Sequence, residues 1–238
     1  MSWLRSRMMA FFQVLPAPEA AFARDLRGPS FLIPLLILSL AFTLLSVAQS
    51  PIHLQWARHQ MESTGTSPEQ VSAALDLLRR SSAWSFVGVP LFLLAHWMLY
   101  ALLLWLAAQA LLDLLEFQQA LTIVAFSYLP ILFRDGVVSL VLFLRSDEAL
   151  LRTDGLNVAL GLNLLFPRIP LPWSTLAASV NLFEVWFILL LVVGVAKMTR
   201  SQWLRALAVV FPCWIFVTLL KLAFVLLSTE ILRSQGQM

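Results

Sequence analysis

The 238-residue sequence is 60% hydrophobic and only 12% charged, with a mean hydropathy of +0.85. A soluble domain carries about 25% charged residues, so this composition excludes a soluble globular fold and indicates an integral membrane protein. The net charge of +3 comes from basic residues scattered along the chain, which gives no support to nucleic-acid binding. The single cysteine, Cys213, excludes an intrachain disulfide.

The N-terminal segment superficially resembles a signal peptide, because basic residues precede an apolar run and an Ala21-Phe22-Ala23 site. Polar residues and prolines interrupt that run, so we predict that residues 1–29 are retained as a cytoplasmic or interfacial segment. The side chains expected to face lipid are Trp3, Leu4, Met8, Phe11 and Phe12. Arg5 and Arg7 are expected to stay among the lipid headgroups.

Five apolar segments are each long enough to cross a bilayer of about 30 Å. The sequence therefore predicts an all-α fold, a polytopic membrane protein with a bundle of about five transmembrane helices and two longer extracytoplasmic loops containing short helices. We predict a single membrane domain over residues 1–238. Its spans are expected near residues 30–49, 84–112, 117–144, 178–198 and 204–228.

The connections between the predicted spans differ in length. Spans two and three are joined around residues 113–116 and spans four and five by a short basic turn, so each pair is expected to form an antiparallel hairpin. The two long loops and the C-terminus then share one membrane face. The density of basic residues in the four-to-five turn favours a cytoplasmic N-terminus.

Each long loop contains a recognisable pattern. In the first, Ser67 is a predicted N-cap, Pro68 opens a helix and Gln70 completes a capping box. Its apolar face is formed by Val71, Ala74, Leu75 and Leu78, and we expect it to lie against the membrane or against the bundle. In the second loop, the apolar run within residues 155–173 is too short to span, so it either dips into the interface or packs on the bundle.

No hydrolase, P-loop, dinucleotide-binding or thiol-redox motif is present in the sequence. His53, His59 and Glu62 are residues of metal-ligand type, but they lack i, i+4 spacing, and we interpret them as solvated polar residues. His96, in the second span, is interpreted as a hydrogen-bonded packing residue. We therefore predict no enzyme activity, no catalytic residues, no metal site and no cofactor.

Four ionisable residues within or at the ends of the spans form a predicted intramembrane charge layer: Arg134, Asp135, Glu184 and Lys221. Charges inside a bilayer are costly and usually face a partner or a cavity. Neighbouring helical residues point about 100° apart, so we expect Asp135 to pair with Lys221 and Arg134 with Glu184 rather than with each other.

An alternative for Arg134 and Asp135 is that they mark where a long third span leaves the lipid. Pro130 cannot donate a hydrogen bond to the carbonyl of Phe126, and Gly136 loosens the helix further on, so a kink is expected there. We favour a structural or interfacial role for the charges over a conducting or proton-relay role.

Three patterns in the sequence resemble motifs of the Yip1 family of five-span membrane proteins. DLRGPSF, residues 25–31, is similar to the family's D-L-Y-G-P-F-W motif through Asp25, Leu26, Gly28 and Pro29. FSYLP, residues 126–130, is similar to the G-Y-S-x-x-P signature through Ser127, Tyr128 and Pro130. Residues 181–200 resemble the fourth span of bacterial members through Glu184, Trp186 and Gly194. The resemblance covers nearly the whole chain.

The resemblance implies a cytoplasmic N-terminus and no catalytic residues. Eukaryotic relatives bind small Rab-type GTPases through a longer N-terminal region that this chain lacks, so a small GTPase is not an expected partner. The short N-terminus resembles that of bacterial members, which are linked to ABC-type export systems. We therefore expect a non-enzymatic assembly, scaffold or accessory subunit in the bacterial cytoplasmic (inner) membrane. Its expected partners are membrane lipid, a second copy of itself or an ABC-type transporter.

Lateral contacts in lipid favour small residues and polar groups, and the second span offers such a face at Ala107, Ala108, Gln109 and Ala110. The alternative function is a small transporter, channel or lipid-handling protein that uses the charge layer. This alternative requires a polar pathway, but the inner halves of the spans carry almost no ionisable groups and no inverted repeat is evident. We therefore favour the assembly role.

Overall fold

The computed structural model describes residues 2–23, 30–112, 115–152, 155–166 and 171–235. Within these ranges the structure is helical and contains no strand, which confirms the predicted all-α class. Leu162–Leu164 form a short 3-10 turn. The α-helices are α1 Ser2–Gln13, α2 Pro18–Phe22, α3 Leu32–Ser63, α4 Pro68–Ala83, α5 Ser85–Leu111, α6 Phe117–Ser127, α7 Leu129–Leu144, α8 Asp147–Leu150, α9 Leu171–Ser179, α10 Leu182–Thr199 and α11 Trp203–Gln235.

Five helical segments are long and apolar enough to cross a membrane, as predicted. They are Leu32–Ser63, Ser85–Leu111, Phe117–Leu144, Leu182–Thr199 and Trp203–Ser228. Between 28% and 44% of each apolar window is buried inside the protein, so most of each span is left to contact lipid.

The first span is longer than the sequence indicated. Its helix was expected to end near residue 49, but α3 continues through Pro51 to Ser63. At 32 residues it is about 48 Å long, against about 30 Å of hydrocarbon, so its last turns extend beyond the membrane. These turns are held by Trp56, whose Nε1 donates to Arg152 O at 3.1 Å, and by Gln60, whose Nε2 donates to Leu151 O at 3.2 Å.

The third span is interrupted where Pro130 was expected to disturb it. Helix α6 ends at Ser127, Tyr128 caps it with φ −77° and ψ −7°, and α7 begins at Leu129. Pro130 is then the second residue of a new helix, where its missing N–H costs nothing.

Contacts divide the chain into two units. The first unit comprises Met1–Pro34, His96–Pro130 and Ala159–Met238, and the second comprises Leu35–Ala95 and Ile131–Val158. The single domain expected over residues 1–238 stays a prediction.

The core of the first unit is α6, in which every residue from Ala120 to Ser127 is buried. The N-terminal segment packs on this core, which corrects the expectation that its aromatic side chains all face lipid. Phe11 is fully buried and Arg7 is buried too, whereas Met8 and Phe12 are exposed as predicted. The side chains of Trp3, Leu4 and Arg5 lie outside the described residues.

Two contacts of α2 complete this N-terminal packing. The ring of Phe22 in α2 lies 6.3 Å from that of Phe126. Glu19, also in α2, forms an ion pair with Lys197 near the end of α10, with 2.6 Å between Oε2 and Nζ. Burial of large aromatic rings against α6 stabilises this arrangement more than contact with headgroups would.

The second unit is held by polar contacts between α3, α7 and the segment after α7. Gln49 Nε2 donates to Ser139 Oγ, and that hydroxyl donates to the carbonyl of Asp135. Arg145 donates to the carbonyls of Gly155 and Asn157. The predicted N-cap of α4 is present, because Ser67 Oγ accepts from the backbone N–H of Gln70 at 3.4 Å.

Candidate functional site

The most distinctive site in the first unit forms where two of the family-like motifs meet. Tyr128, from the third-span motif, lies with its ring centroid 5.7 Å from that of Phe187, one turn after Glu184 in the fourth-span motif. The interruption of the third span after Ser127 places Tyr128 at the end of α6. Two motifs that are far apart in sequence therefore contact each other through aromatic rings.

Helix α5 contributes three further aromatic residues to this site. The rings of His96 and Trp97 lie 5.8 Å and 5.7 Å from Tyr128, and Tyr100 lies 5.5 Å from Phe187. All of these pairs are edge-to-face, the arrangement that the ring quadrupole favours. We call these five residues, His96, Trp97, Tyr100, Tyr128 and Phe187, the aromatic cluster.

A packing role is predicted for His96 from the sequence, whereas Trp97, Tyr100 and Phe187 are not singled out. The signal that could have revealed Trp97 and Tyr100 is their spacing, because residue 100 follows residues 96 and 97 by four and three positions and therefore neighbours both on the helix surface. Trp97 Nε1 and Ser127 Oγ are buried beside this cluster without a hydrogen-bond partner among the described residues.

Glu184 occupies the first turn of α10 and is almost fully buried, with 6% of its side chain exposed. The turn is capped by Asn181, whose Oδ1 accepts from the backbone N–H of Glu184 at 2.9 Å. An acidic residue is favourable here because the N-terminal end of a helix carries partial positive charge. The cap therefore holds the backbone of this turn, so the position of Glu184 depends on a local motif and not only on a distant partner.

Lys221 of α11 reaches Glu184, with Nζ 3.9 Å from Oε1, and its side chain is 43% exposed. The expected pair of Lys221 with Asp135 stays a prediction. Since Glu184 lies in the first turn of its span, and Lys221 follows Trp203 by about 27 Å of helix, the pair lies near the membrane face at which α10 begins. This position favours the interfacial interpretation.

Arg134 and Asp135, in the second unit, pair with each other. Arg134 Nε donates to Asp135 Oδ1 at 2.8 Å, although their side chains had been expected to turn away from each other. The expectation failed because the long arginine side chain can fold back along the helix to its neighbour. The pair is about one-third exposed, which is compatible with a helix leaving the lipid. The predicted pair of Arg134 with Glu184 stays a prediction.

Gly194, the glycine of the fourth-span motif, lies at a close approach of helices. A Cβ atom there would lie 2.6 Å from Ile123 Cγ2 and 3.3 Å from a ring carbon of Phe22. Only glycine allows α10, α6 and α2 to approach this closely. Of the other motif residues, Pro130 is buried and Trp186 is half-buried. The first motif, with Asp25, Leu26, Gly28 and Pro29, lies outside the described residues.

His53, His59 and Glu62, the residues of metal-ligand type expected in the first long loop, lie in the part of α3 that continues beyond the predicted span. Glu62 is bound by Arg58 Nε at 2.8 Å, and His53 Nε2 lies 3.4 Å from Gln49 Oε1. Among the described residues, no three histidine, cysteine or acidic side chains gather at one point.

The lateral contact face expected on the second span is partly used within the chain. Ala108 is fully buried, and Gln109 Nε2 donates to the carbonyl of Leu115 at 2.9 Å. Gln109 therefore satisfies the backbone beyond its own helix, and only part of the predicted face is open to another protein.

These observations define the class of protein: a polytopic α-helical membrane protein whose interior is held by aromatic packing and by capped helix ends. The family model for the Yip1 domain matches residues 12–225. The match covers most of the 238 residues, and the chain belongs to the Yip1 family. Neither a curated protein nor a solved structure matches it.

Proposed function

We propose that this protein is a non-enzymatic assembly, scaffold or accessory subunit of the bacterial inner membrane. The observation that carries the proposal is the use of its intramembrane polar groups in local contacts. The carboxylate of Glu184 is paired with Lys221, the backbone N–H of Glu184 donates to the cap residue Asn181, and Asp135 is paired with Arg134. Charges that neutralise each other in local pairs stabilise a bundle, whereas a pathway needs groups that face a continuous polar cavity.

The surface left for partners is the apolar outside of the spans. Helix α11 exposes Phe216 and Phe224, and α3 exposes Leu36, Leu40 and Leu44. The hydrophobic effect contributes little to helix association in lipid, because lipid tails are as apolar as these side chains. Association therefore depends on close packing of the helices and on the displacement of lipid. The proposed partners are a second copy of the chain or, as the resemblance implies, the membrane subunits of an ABC-type exporter.

Photo-crosslinking in native membranes tests this proposal. A small diazirine amino acid replaces Phe224 or Leu36, which are 73% and 71% exposed, and a control chain carries it at Phe187, which is 1% exposed. We expect discrete protein adducts from the two exposed positions, identified by mass as this chain or an exporter subunit, and only intrachain adducts from Phe187. Lipid adducts alone at both exposed positions, with the chain purifying as a monomer in mild detergent, would contradict the proposal.

The second candidate is a small transporter, channel or lipid-handling protein. One observation favours it: two buried polar atoms, Nε1 of Trp97 in the aromatic cluster and Oγ of Ser127 next to Tyr128, have no hydrogen-bond partner among the described residues. Unsatisfied polar groups in a core often bind water or a ligand. Flux measured in liposomes, with Asp135→Asn and Lys221→Met as comparison variants, separates the two candidates. Flux that both variants abolish, in chains that still fold, would favour the transporter.

The N-terminus is proposed to be cytoplasmic, from the basic four-to-five turn and from the family resemblance. The Glu19–Lys197 ion pair supports a shared side for the N-terminal segment and that turn. Labelling an exposed cysteine at Met9 in a Cys213→Ala background, in intact cells and in inverted vesicles, tests the orientation. Labelling in intact cells by a membrane-impermeant reagent would contradict it.

A further inference from the structure

A group of large apolar side chains is exposed in the connection between the third and fourth spans. Leu164, Leu165 and Phe166 are 65%, 68% and 56% exposed, and Trp173 at the start of α9 is 63% exposed. Side chains of this size in water would cost about 25 cal/mol for each square ångström of apolar surface, so a cluster of four requires a cover. We call these four residues the apolar loop patch.

Backbone contacts fix the patch close to the start of α10. The N–H of Leu162 donates to the carbonyl of Val180 at 3.1 Å, and Gly161 forms an isolated antiparallel bridge with Asn181. A Cβ atom on Gly161 would lie 2.8 Å from the carbonyl oxygens of Ala177 and Val180, so this approach requires glycine. The 3-10 turn that carries Leu164 begins directly after these contacts.

The depth of this attachment in the membrane follows from the length of the fourth span. Asn181 is the N-cap of α10, and the helix exposes apolar side chains from its first residue onward, with Leu182 at 74%. Val185 and Leu189 continue the exposed apolar surface along the same helix. Since α10 has only 18 residues, about 27 Å, its whole length is needed to cross the hydrocarbon. Asn181 therefore lies at the edge of the hydrocarbon.

The composition of the connection agrees with contact with lipid rather than water. From Gly155 to Phe183 the sequence contains one charged residue, Arg168, while leucines, prolines and a tryptophan dominate. Tryptophan is enriched at the boundary between headgroups and hydrocarbon. The run is too short to cross the bilayer, so insertion parallel to the membrane plane is the geometry that satisfies both its length and its apolarity.

We propose that Leu164, Leu165, Phe166 and Trp173 form an interfacial anchor that inserts into the lipid leaflet at the face where α10 begins. The turn that carries the patch is attached beside Asn181, next to the exposed Leu182 at the edge of the hydrocarbon, which is why lipid rather than a second protein is its cover. The inference is independent of the proposed assembly role, because it needs only that α10 spans the membrane.

Depth measurements on spin-labelled protein test the anchor. In a Cys213→Ala background, a single cysteine replaces Leu164 or, in a second chain, Leu165, and the labelled full chain is reconstituted in phosphatidylethanolamine–phosphatidylglycerol liposomes. Leu182→Cys supplies a lipid-facing reference at the start of α10, at the depth expected for the patch. Thr64→Cys supplies a water-facing reference, because the end of α3 extends beyond the hydrocarbon.

We expect the labels at Leu164 and Leu165 to collide with oxygen almost as often as the label at Leu182. Their collisions with a water-soluble nickel chelate should be several-fold fewer than at Thr64. Accessibility to nickel equal to that at Thr64 would overturn the proposal, since the patch would then lie in water. Protection from both quenchers would also overturn it, because protein rather than lipid would cover the patch. Two independent positions keep the test valid where one variant fails to fold.

Discussion

The ring of Phe11, in the N-terminal helix α1, packs edge to face against the ring of Phe126 in α6, with 5.7 Å between centroids and 90° between planes. Phe126 belongs to the most buried helix of the first unit and to the FSYLP motif of the third span. The N-terminal segment is therefore part of the core of that unit rather than an anchor lying beside it.

We predict that Phe11→Ala destabilises the protein by about 3 kcal/mol, because it leaves a cavity between α1 and α6. Phe12→Ala is the matched control, since the neighbouring ring is 54% exposed, and it should cost less than about 0.5 kcal/mol. Unfolding by sodium dodecyl sulfate in mixed micelles measures both values. Equal effects of the two substitutions would show that α1 does not pack as described.

Gly194→Ala should also destabilise the first unit. The added methyl group would lie 2.6 Å from Cγ2 of Ile123, a β-branched side chain that cannot easily move aside, and overpacking of this kind costs about 1–3 kcal/mol. Gly136→Ala in α7 is the control, because nothing lies within 4 Å of its Cβ position. The midpoints of thermal aggregation in detergent compare the two variants. A drop for Gly136→Ala as large as that for Gly194→Ala would contradict this account of the helix approach.

The sequence was sufficient for the features that depend on local patterns. The lengths of the apolar segments predicted the five spans. Pro130 predicted the interruption of the third span, and Ser67 predicted the start of α4. Predictions from the sequence failed where a charged side chain has more than one partner within reach. Arg134 and Asp135 were expected to point toward different helices, but the long arginine side chain reaches its neighbour along the same helix, and residue spacing alone does not determine this.

The candidate site shows the same division. Glu184, Tyr128 and Gly194 could be selected from family-like motifs, whereas the contact between Tyr128 and Phe187 depends on how α6 and α10 pack. The N-terminal segment was assigned to lipid because an amphipathic pattern is the same whether its apolar face meets lipid or a protein core. Phe11 and Phe12 are adjacent and chemically identical, and only the fold separates the buried ring from the exposed one.

Loss of the cap on α10 should weaken the start of the fourth span. Asn181→Ala removes the oxygen that accepts from the N–H of Glu184, which should cost about 1 kcal/mol. Asn181→Ser retains a capping oxygen and should recover most of this loss. Hydrogen exchange of the amides of residues 182–185, measured in nanodiscs, reports the cap directly. Equal protection in the alanine and wild-type proteins would count against it.

The segment after α7 should open when Arg145 is lost. Its guanidinium donates to the carbonyls of Gly155 and Asn157, so Arg145→Ala removes two charge-assisted hydrogen bonds from the second unit. We expect faster hydrogen exchange and faster proteolysis within residues 147–158. Arg79→Ala is the control, since Arg79 is exposed and its ion pair with Asp76 spans 3.6 Å on the surface. Unchanged exchange in the Arg145 variant would contradict the role of these bonds.

The Glu184–Lys221 pair should respond unequally to removal of its two members. Lys221→Met deprives a carboxylate with 6% exposure of its cation, whereas Glu184→Gln leaves a lysine that is 43% exposed and can extend to the headgroups. We therefore expect Lys221→Met to destabilise the protein more than Glu184→Gln does. The double variant should lose less than the sum, with a coupling of about 0.5–3 kcal/mol, because neither charge is then left alone.

Unfolding in mixed micelles at neutral pH gives the four free energies of this cycle. Strict additivity would mean that 3.9 Å between Nζ and Oε1 is too long for a useful ion pair at this depth. A cycle on Arg134 and Asp135 extends the comparison, since that pair is closer, at 2.8 Å, but more exposed on its acidic side. Burial of the carboxylate, rather than the shorter distance, should decide which acid is more sensitive to loss of its cation, because water screens an exposed pair. We therefore expect Lys221→Met to be more damaging than Arg134→Met.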